Sequence, residues 1–192
     1  MSKVVVLTNL TLDGVMQGPA ILVWSRRGGF EHGGWAAPYA AMEATGNNFA
    51  SAGALLFGRR TYENFYAVWP KQTNSPYTEF LNTIPKYVAS TTLKEPLPWS
   101  NSTLLKGDAA QAVSQLKQQP GKDLLIMGSG ELIQSLMRAN LIDDYVLLIH
   151  PLVLGSGRRL FPDGGAAATL RLVATSTTDK GVVIASYQPA SQ

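Results

Sequence analysis

The sequence predicts a single α/β domain over residues 1–192, with a mixed, mostly parallel β-sheet covered by helices on both faces. Strand-like and helix-like segments alternate through most of the chain, which is typical of parallel α/β sheets. The segments DLLIM and YVLLI are apolar apart from the first Asp, as expected for strands buried on both faces. The last two strand-like segments have no helix between them, so we expect a closing antiparallel hairpin.

Apolar and β-branched runs mark the strands in the first half of the chain, and stretches rich in Gly, Pro or Asn separate them. A helix is predicted over 39–50, with Gly46-Asn47-Asn48 as an alternative, earlier end. The other predicted elements of this half are a strand at 4–10, a long irregular segment at 14–38, a strand at 54–57, helices at 60–68 and 77–82, and a strand at 86–90.

The second half of the chain continues the alternation and then ends in strands. Asp108 is a good N-cap for a helix over 109–118, which Pro120-Gly121 closes. The other predicted elements are a weak strand at 103–105, strands at 124–127 and 144–150 with a helix at 131–139 between them, and final strands at 169–175 and 182–187.

The composition excludes several classes of protein. The chain has no cysteine, so disulfides, thiolate catalysis and cysteine-ligated metal sites are excluded, and we expect no metal. The net charge of +3 comes from scattered basic residues and does not argue for a nucleic-acid partner. No apolar run approaches the roughly 20 residues that cross a bilayer. The N-terminus lacks a signal-peptide pattern, so we expect a cytoplasmic protein without a membrane partner.

Three stretches follow predicted strands, at the edge where open α/β sheets bind ligands. They are GRRT at 58–61, STT at 90–92 and GSGE at 128–131. In the last, two glycines open a helix whose first turn has unpaired N–H groups and partial positive charge, so a phosphate could approach closely. The alternative is that the glycines serve only the geometry of the turn. The pattern is neither a Rossmann fingerprint, because Ile133 replaces the third glycine, nor a P-loop.

The GRRT stretch predicts a second anion site. Arginine matches phosphate with its planar fork, and two cations at a helix N-terminus are otherwise unfavourable for the helix dipole. The alternative is a solvated basic helix start. Taken together, the three strand ends suggest a ligand with separated phosphates, and NADPH has that shape, with a pyrophosphate and a 2′-phosphate.

These stretches resemble the dihydrofolate reductase-like superfamily, and within it the group of the C-terminal reductase domain of bacterial riboflavin biosynthesis proteins. The matching pieces are TLDG, LLFGRRTYE, YVAS, IMGSGEL and HPLVLGSGRRLF, which occur in family order over about residues 3–161. The resemblance implies a three-layer α/β/α fold and NADPH as the hydride donor. Because the chain has no cysteine, we expect a stand-alone reductase domain without the zinc deaminase domain of some relatives.

The resemblance also implies the cofactor site, residue by residue. It assigns three groups of cofactor-binding residues: Gly58, Arg59, Arg60 and Thr61 at the phosphates, Ser90 and Thr91 near the adenosine end, and Gly128, Ser129, Gly130 and Glu131 at the pyrophosphate.

Two acids compete for the catalytic role. Family reductases that act on pterins carry a carboxylate on the helix before the G-R-x-T strand, and Glu43 is the acid in that region. Asp13, in the TLDG turn, is the rival, because that turn lies beside the nicotinamide pocket in the family. Each has a plain alternative: Glu43 as an exposed helix residue, and Asp13 as an organiser of an Asp-Gly turn.

The loop GGFEHGGWAAPY is the predicted source of substrate specificity. Trp35 could stack on a planar ring, and Glu31 or His32 could hydrogen-bond one; the alternative is a tryptophan pinned over the core. His150 is interpreted as a structural residue. A homodimer is expected from the resemblance alone.

The function predicted from the sequence is therefore NADPH-dependent reduction of a small heterocyclic substrate, pterin-like or pyrimidine-like, or of a carbonyl compound. The alternative is a nucleotide- or pterin-binding protein of the same fold without turnover. Fold-level resemblance does not identify the substrate.

Overall fold

A computed structural model describes residues 1–20, 27–39, 46–73 and 75–190. Its strands are β1 Val4–Thr11, β2 Ala52–Gly58, β3 Lys86–Ala89, β4 Ser102–Leu105, β5 Asp123–Met127, β6 Asp144–His150, β7 Leu170–Thr177 and β8 Val183–Pro189. Its helices are α1 Gly46–Ser51, α2 Arg59–Val68, α3 Pro76–Thr83, α4 Ala109–Gln118 and α5 Gly130–Arg138. Among these described helices, none is both long and apolar enough to span a bilayer.

The strands form one eight-stranded sheet in the order β4-β3-β2-β5-β1-β6-β8-β7. All neighbours from β4 to β6 pair in parallel, whereas β8 is antiparallel to both β6 and β7. The predicted mixed sheet with its C-terminal antiparallel hairpin is thereby confirmed. Strand β5 inserts between β1 and β2, so the carboxyl ends of distant chain segments meet at one edge.

Helices cover both faces of the sheet, which confirms the predicted three-layer arrangement. Val113 of α4 and Leu136 of α5 pack in one apolar cluster with the even-numbered residues of β1. Tyr62 of α2 and Leu81 of α3 pack in the other cluster, with the odd-numbered residues Val5 and Leu7. This alternation along β1 is the two-residue period of a strand buried on both faces.

The predicted element boundaries hold closely in the second half and less well near the start. Asp108 caps α4 as predicted, because its carboxylate accepts a hydrogen bond from the Gln111 amide at 2.8 Å. The predicted helix at 39–50 is different: α1 begins at Gly46, which the sequence suggested as an end, and residues 40–45 lie outside the described residues. A short 3-10 turn, Ala37–Tyr39, precedes them.

Candidate functional site

A large cleft lies along the carboxyl ends of the parallel strands and has a volume of about 2100 Å³. Pockets for single drug-sized ligands have volumes of roughly 300–1,000 Å³, so the cleft has room for more than one such molecule. Every residue predicted to bind the cofactor lines it: Gly58, Arg59, Arg60, Thr61, Ser90, Thr91, Gly128, Ser129, Gly130 and Glu131. The structure thus brings the three predicted strand ends to one surface, which we call the phosphate wall.

The Gly-Ser-Gly turn joins two parts of the phosphate wall. Gly128 and the N-cap Ser129 both have positive φ, at 74° and 64°. The Ser129 hydroxyl accepts a hydrogen bond from the Gly58 amide at 2.9 Å, which ties the end of β2 to the start of α5. A Cβ added at Gly130 would lie 2.9 Å from the Met16 sulfur. Gly128 is therefore required by backbone conformation, whereas Gly130 allows the close approach of the Met16 side chain.

Ion pairs at the phosphate wall neutralise its acids. The Glu131 Oε1 atom accepts hydrogen bonds from Arg60 Nη1 and Arg158 Nη1, both at 2.9 Å. Arg59 lies 3.4 Å from the carboxylate of Glu63, one helical turn away. Such exposed pairs contribute only about 0–1 kcal/mol, so an incoming anion can compete for the arginines. Arg158, which the sequence analysis did not assign, comes from the loop after β6.

Ser90 and Thr91 lie at the far end of the phosphate wall, after β3. The Ser90 hydroxyl accepts hydrogen bonds from the amides of Thr92 and Leu93, at 3.1 and 3.0 Å. It therefore shapes the turn, and Thr91 beside it is exposed.

Asp13 is held in the turn after β1 and does not line the cleft. Its carboxylate accepts hydrogen bonds from the Thr11 hydroxyl at 2.5 Å and from the amides of Leu154 and Gly155 at 3.2 and 2.9 Å. These contacts, the Thr11 bond foremost, lower the pKa of Asp13 below its ordinary value. An acid stabilised as its anion is a poor proton donor, so this placement favours the turn-organising interpretation. The rival, Glu43, lies outside the described residues.

The loop residues predicted to bind substrate lie in two different environments. Glu31 and His32 are exposed and do not line the cleft. Trp35 is 8% exposed and packs with Val15 and Phe30. Its indole N–H donates to the backbone oxygen of Gln17 at 2.7 Å. This geometry matches a tryptophan pinned in a small core, the second of the two interpretations from the sequence.

A polar pair, the half-buried Asn9 and the buried His150, lies at the floor of the cleft, where β1 and β6 end. His150 is 0% exposed, and its Nε2 atom lies 2.9 Å from Asn9 Oδ1. The rings of Trp35 and Tyr39 contact the imidazole edge-on, each with ring centroids 5.1 Å apart. Burial lowers the pKa of His150 to about 4, so the imidazole is neutral near pH 7. Both His150 and Asn9 line the cleft.

The sequence analysis missed Asn9, although a signal was present. In β1, read VVVLTNLT, the odd-numbered positions Val5 and Leu7 face a packed core, and Asn9 continues that row. An amide side chain at a core-facing position is unusual, because a buried polar group needs a partner. That irregularity could have marked Asn9 as a site residue.

The residues of the phosphate wall fit a phosphorylated dinucleotide. They combine the N–H groups of the first α5 turn with arginines in exposed ion pairs. The strand order, the three layers and the position of the cleft together define a protein of the dihydrofolate reductase-like fold.

The chain belongs to the RibD C-terminal domain family, whose pattern matches residues 2–184. It is similar to the uncharacterized Bacillus subtilis (strain 168) protein YyaP, with 32% identity over 133 residues, covering 67% of this chain and 70% of YyaP.

Solved structures share the fold at lower identity. Dihydrofolate reductase from Enterococcus faecalis, complexed with NADP(H), is 12% identical with a TM-score of 0.62, covering 98% of this chain and 97% of that one. The reductase–deaminase of Thermotoga maritima is 13% identical with a TM-score of 0.64, covering 98% of this chain and 57% of that one. At these identities the likeness concerns the fold alone.

Proposed function

We propose that the protein is an NADPH-dependent reductase of a small pterin-like or pyrimidine-like heterocycle, or of a related carbonyl compound. The observation that carries this proposal is the single cleft that joins the phosphate wall to the polar floor at Asn9 and His150. Family membership supports the same class of reaction, and a neighbour of the same fold is complexed with NADP(H).

The phosphate wall would hold the cofactor through two kinds of contact. Backbone N–H groups at residues 130–132 would bind the pyrophosphate, as helix N-termini bind anions. Arg59, Arg60 and Thr61 would bind the 2′-phosphate by charge and hydrogen bonds. Glu131 would contribute its backbone and hold Arg60 and Arg158 in place through their ion pairs.

Bound NADPH would supply a hydride to an electrophilic carbon of the substrate. The chain would orient that carbon over the floor and limit water at the reacting centre. The accompanying proton would come from Glu43 or from a water molecule, since Asp13 is engaged in the turn.

The first experiment is a pair of titrations with NADPH and NADH, followed by tryptophan fluorescence. Trp69 lines the cleft, so a bound nicotinamide nucleotide should quench its emission. We expect saturable binding and at least about tenfold tighter binding of NADPH, because one phosphate–arginine contact contributes roughly 1.5–3 kcal/mol. If neither nucleotide binds, the proposal is wrong.

A second candidate is a nucleotide- or pterin-binding protein without turnover. The engagement of Asp13 in the turn favours it, because one of the two proposed proton donors is then removed. Tight NADPH binding without oxidation, across a panel of pterins, pyrimidines and aldehydes, would select this alternative.

A further inference from the structure

We propose that the side-chain amide of Asn9 donates a hydrogen bond to the heteroatom of the substrate's reducible C=O or C=N bond, and that His150 is the positioning residue that fixes this orientation. The inference rests on the proposed reductase function and names the substrate feature that the floor of the cleft recognises.

Asn9 lies at the boundary between the hydrophobic core and the cleft. Asn9 lies at the carboxyl end of β1, in register with Leu148 of β6. Two residues earlier, Leu7 is buried in the core against α2 and α3. Asn9 itself is half-buried and lines the cleft together with the apolar Leu7, so it is the polar side chain of that row that a ligand can reach.

His150 determines which atom of the Asn9 side-chain amide, the oxygen or the nitrogen, a ligand would contact. The imidazole is neutral near pH 7 and therefore carries one hydrogen. Because a carbonyl oxygen, Asn9 Oδ1, faces Nε2 at 2.9 Å, that hydrogen belongs on Nε2. The edges of Trp35 and Tyr39 pack on the ring and oppose its rotation. With Oδ1 held by His150, Nδ2 is the polar atom of the planar amide that is left for a ligand.

The Asn9 amide nitrogen is an available donor. It has no hydrogen-bond partner among the described residues, and it is not among their buried polar atoms that lack one. It is therefore reachable from the cleft. A donor in this position has a strong preference for an acceptor, since an unpaired polar group costs about 1–3 kcal/mol once a ligand excludes water.

The chemistry of hydride addition explains why a donor is useful there. Bound NADPH would supply a hydride to the substrate carbon and would be oxidised to NADP⁺, and the π electron pair would move onto the oxygen or nitrogen. That heteroatom then takes a proton from water. A fixed N–H donor beside it stabilises the charge that develops, while Asn9 keeps its own hydrogens. An isolated C=C bond has no such heteroatom, so the proposal predicts that alkenes are excluded.

The test uses the full chain loaded with NADPH and three substitutions at two positions. Asn9→Asp preserves shape and still accepts the hydrogen bond from His150, but it replaces the donor with an acceptor. His150→Leu removes the positioning contact, and His150→Gln restores a donor toward Asn9. The probes are 7,8-dihydropterin, 5-aminouracil and benzaldehyde, with styrene as the shape-matched control that lacks an acceptor.

The first readout is binding, measured by the side-chain amide resonances of Asn9 in ¹⁵N-labelled protein. We expect at least one probe to shift these resonances, styrene to leave them unchanged, and Asn9→Asp to weaken that probe about tenfold while NADPH affinity stays within about twofold. The proposal is overturned if no probe binds the NADPH-loaded protein, or if Asn9→Asp binds the probes as tightly as the wild type.

The second readout separates positioning from mere packing. His150→Leu should reduce probe affinity, and His150→Gln should recover it, although both remove the imidazole. Equal loss in the two variants would overturn the positioning role. If NADPH itself does not bind, the proposed function has failed. The Asn9 amide shifts caused by the probes in the protein without NADPH then test the donor role of Asn9 separately.

Discussion

The phosphate wall and the floor of the cleft are built in opposite ways. The wall consists of short contiguous runs that are mostly half-buried, and its arginines are held by weak ion pairs, such as Arg59 with Glu63. The floor is one pair, the half-buried Asn9 and the buried His150, whose members are 141 positions apart in the sequence. A surface that binds phosphates can therefore be built from residues that are neighbours in the sequence and whose side chains are weakly held. A surface that contacts the reacting atom of a substrate needs residues that the fold brings together and fixes.

The largest expected effect concerns the floor, through the protonation of His150. Burial holds the pKa of His150 at about 4, below the ordinary 6.5. Between these values the unfolded chain binds a proton that the folded chain does not, so stability is lost as the pH falls from 6.5 to 4. The shift corresponds to about 3 kcal/mol.

Denaturant unfolding of the wild type and of His150→Gln, at pH 4.5 and pH 7 as the chosen conditions, measures this effect. We expect the wild type to lose clearly more stability than the variant on acidification. The control, His32→Gln, changes the exposed histidine outside the cleft. Equal losses in wild type and His150→Gln would contradict the buried, neutral imidazole.

The next effect concerns the wall. The double substitution Arg59→Ala and Arg60→Ala should weaken NADPH binding by about 100-fold, because two charge-assisted contacts to a phosphate are lost. NADH affinity should change by less than about threefold. Arg171→Ala, an exposed arginine on β7 away from the cleft, is the matched control. A parallel loss for both nucleotides would mean that the arginines do not recognise the 2′-phosphate.

A smaller effect distinguishes the two interpretations of the glycines. Gly130→Ala places a Cβ against the Met16 sulfur and displaces that flexible side chain, which lines the cleft, so we expect about tenfold weaker NADPH binding with little change in stability. Gly128→Ala should instead reduce stability by about 1 kcal/mol, since φ at that position is 74°. Unchanged NADPH affinity in Gly130→Ala would leave only turn geometry as the role of these glycines.

The smallest effect on activity is expected for Asp13. Asp13→Asn removes charge-assisted hydrogen bonds to the amides of Leu154 and Gly155, so we expect a loss of about 1–2 kcal/mol of stability. NADPH affinity and any measured turnover should stay within about threefold. A loss of turnover by a factor of 100 or more, with NADPH affinity retained, would restore Asp13 as the proton donor.

The cofactor side of the site could be predicted because its signals are local. GRRT and GSGE are runs of four residues, and their meaning depends on the strand end that precedes them. The structure places both on one surface, joined by the Gly58–Ser129 hydrogen bond. Their roles in cofactor binding stay predictions, as do the homodimer and the cytoplasmic location.

The substrate side could not be predicted in the same way. From the sequence, Glu31 and His32 are suitable hydrogen-bonding residues for a substrate, but in the structure they are exposed and do not line the cleft. Arg158 reaches Glu131, and Asp13 reaches Gly155, only because the loop after β6 folds back over the ends of β1 and β5. Nothing in the neighbouring sequence of any of these residues indicates such a partner.

The sequence by itself determined the α/β class, the parallel core strands, the closing hairpin and the two phosphate-compatible turns. These follow from periodicity and turn chemistry among residues that are close in the chain. Only the tertiary structure decided the strand order, the pairing of Asn9 with His150 and the turn role of Asp13. The physical reason is that insertion of β5 between β1 and β2, and the pairing of β6 with β1, bring together groups whose contacts depend on the whole sheet.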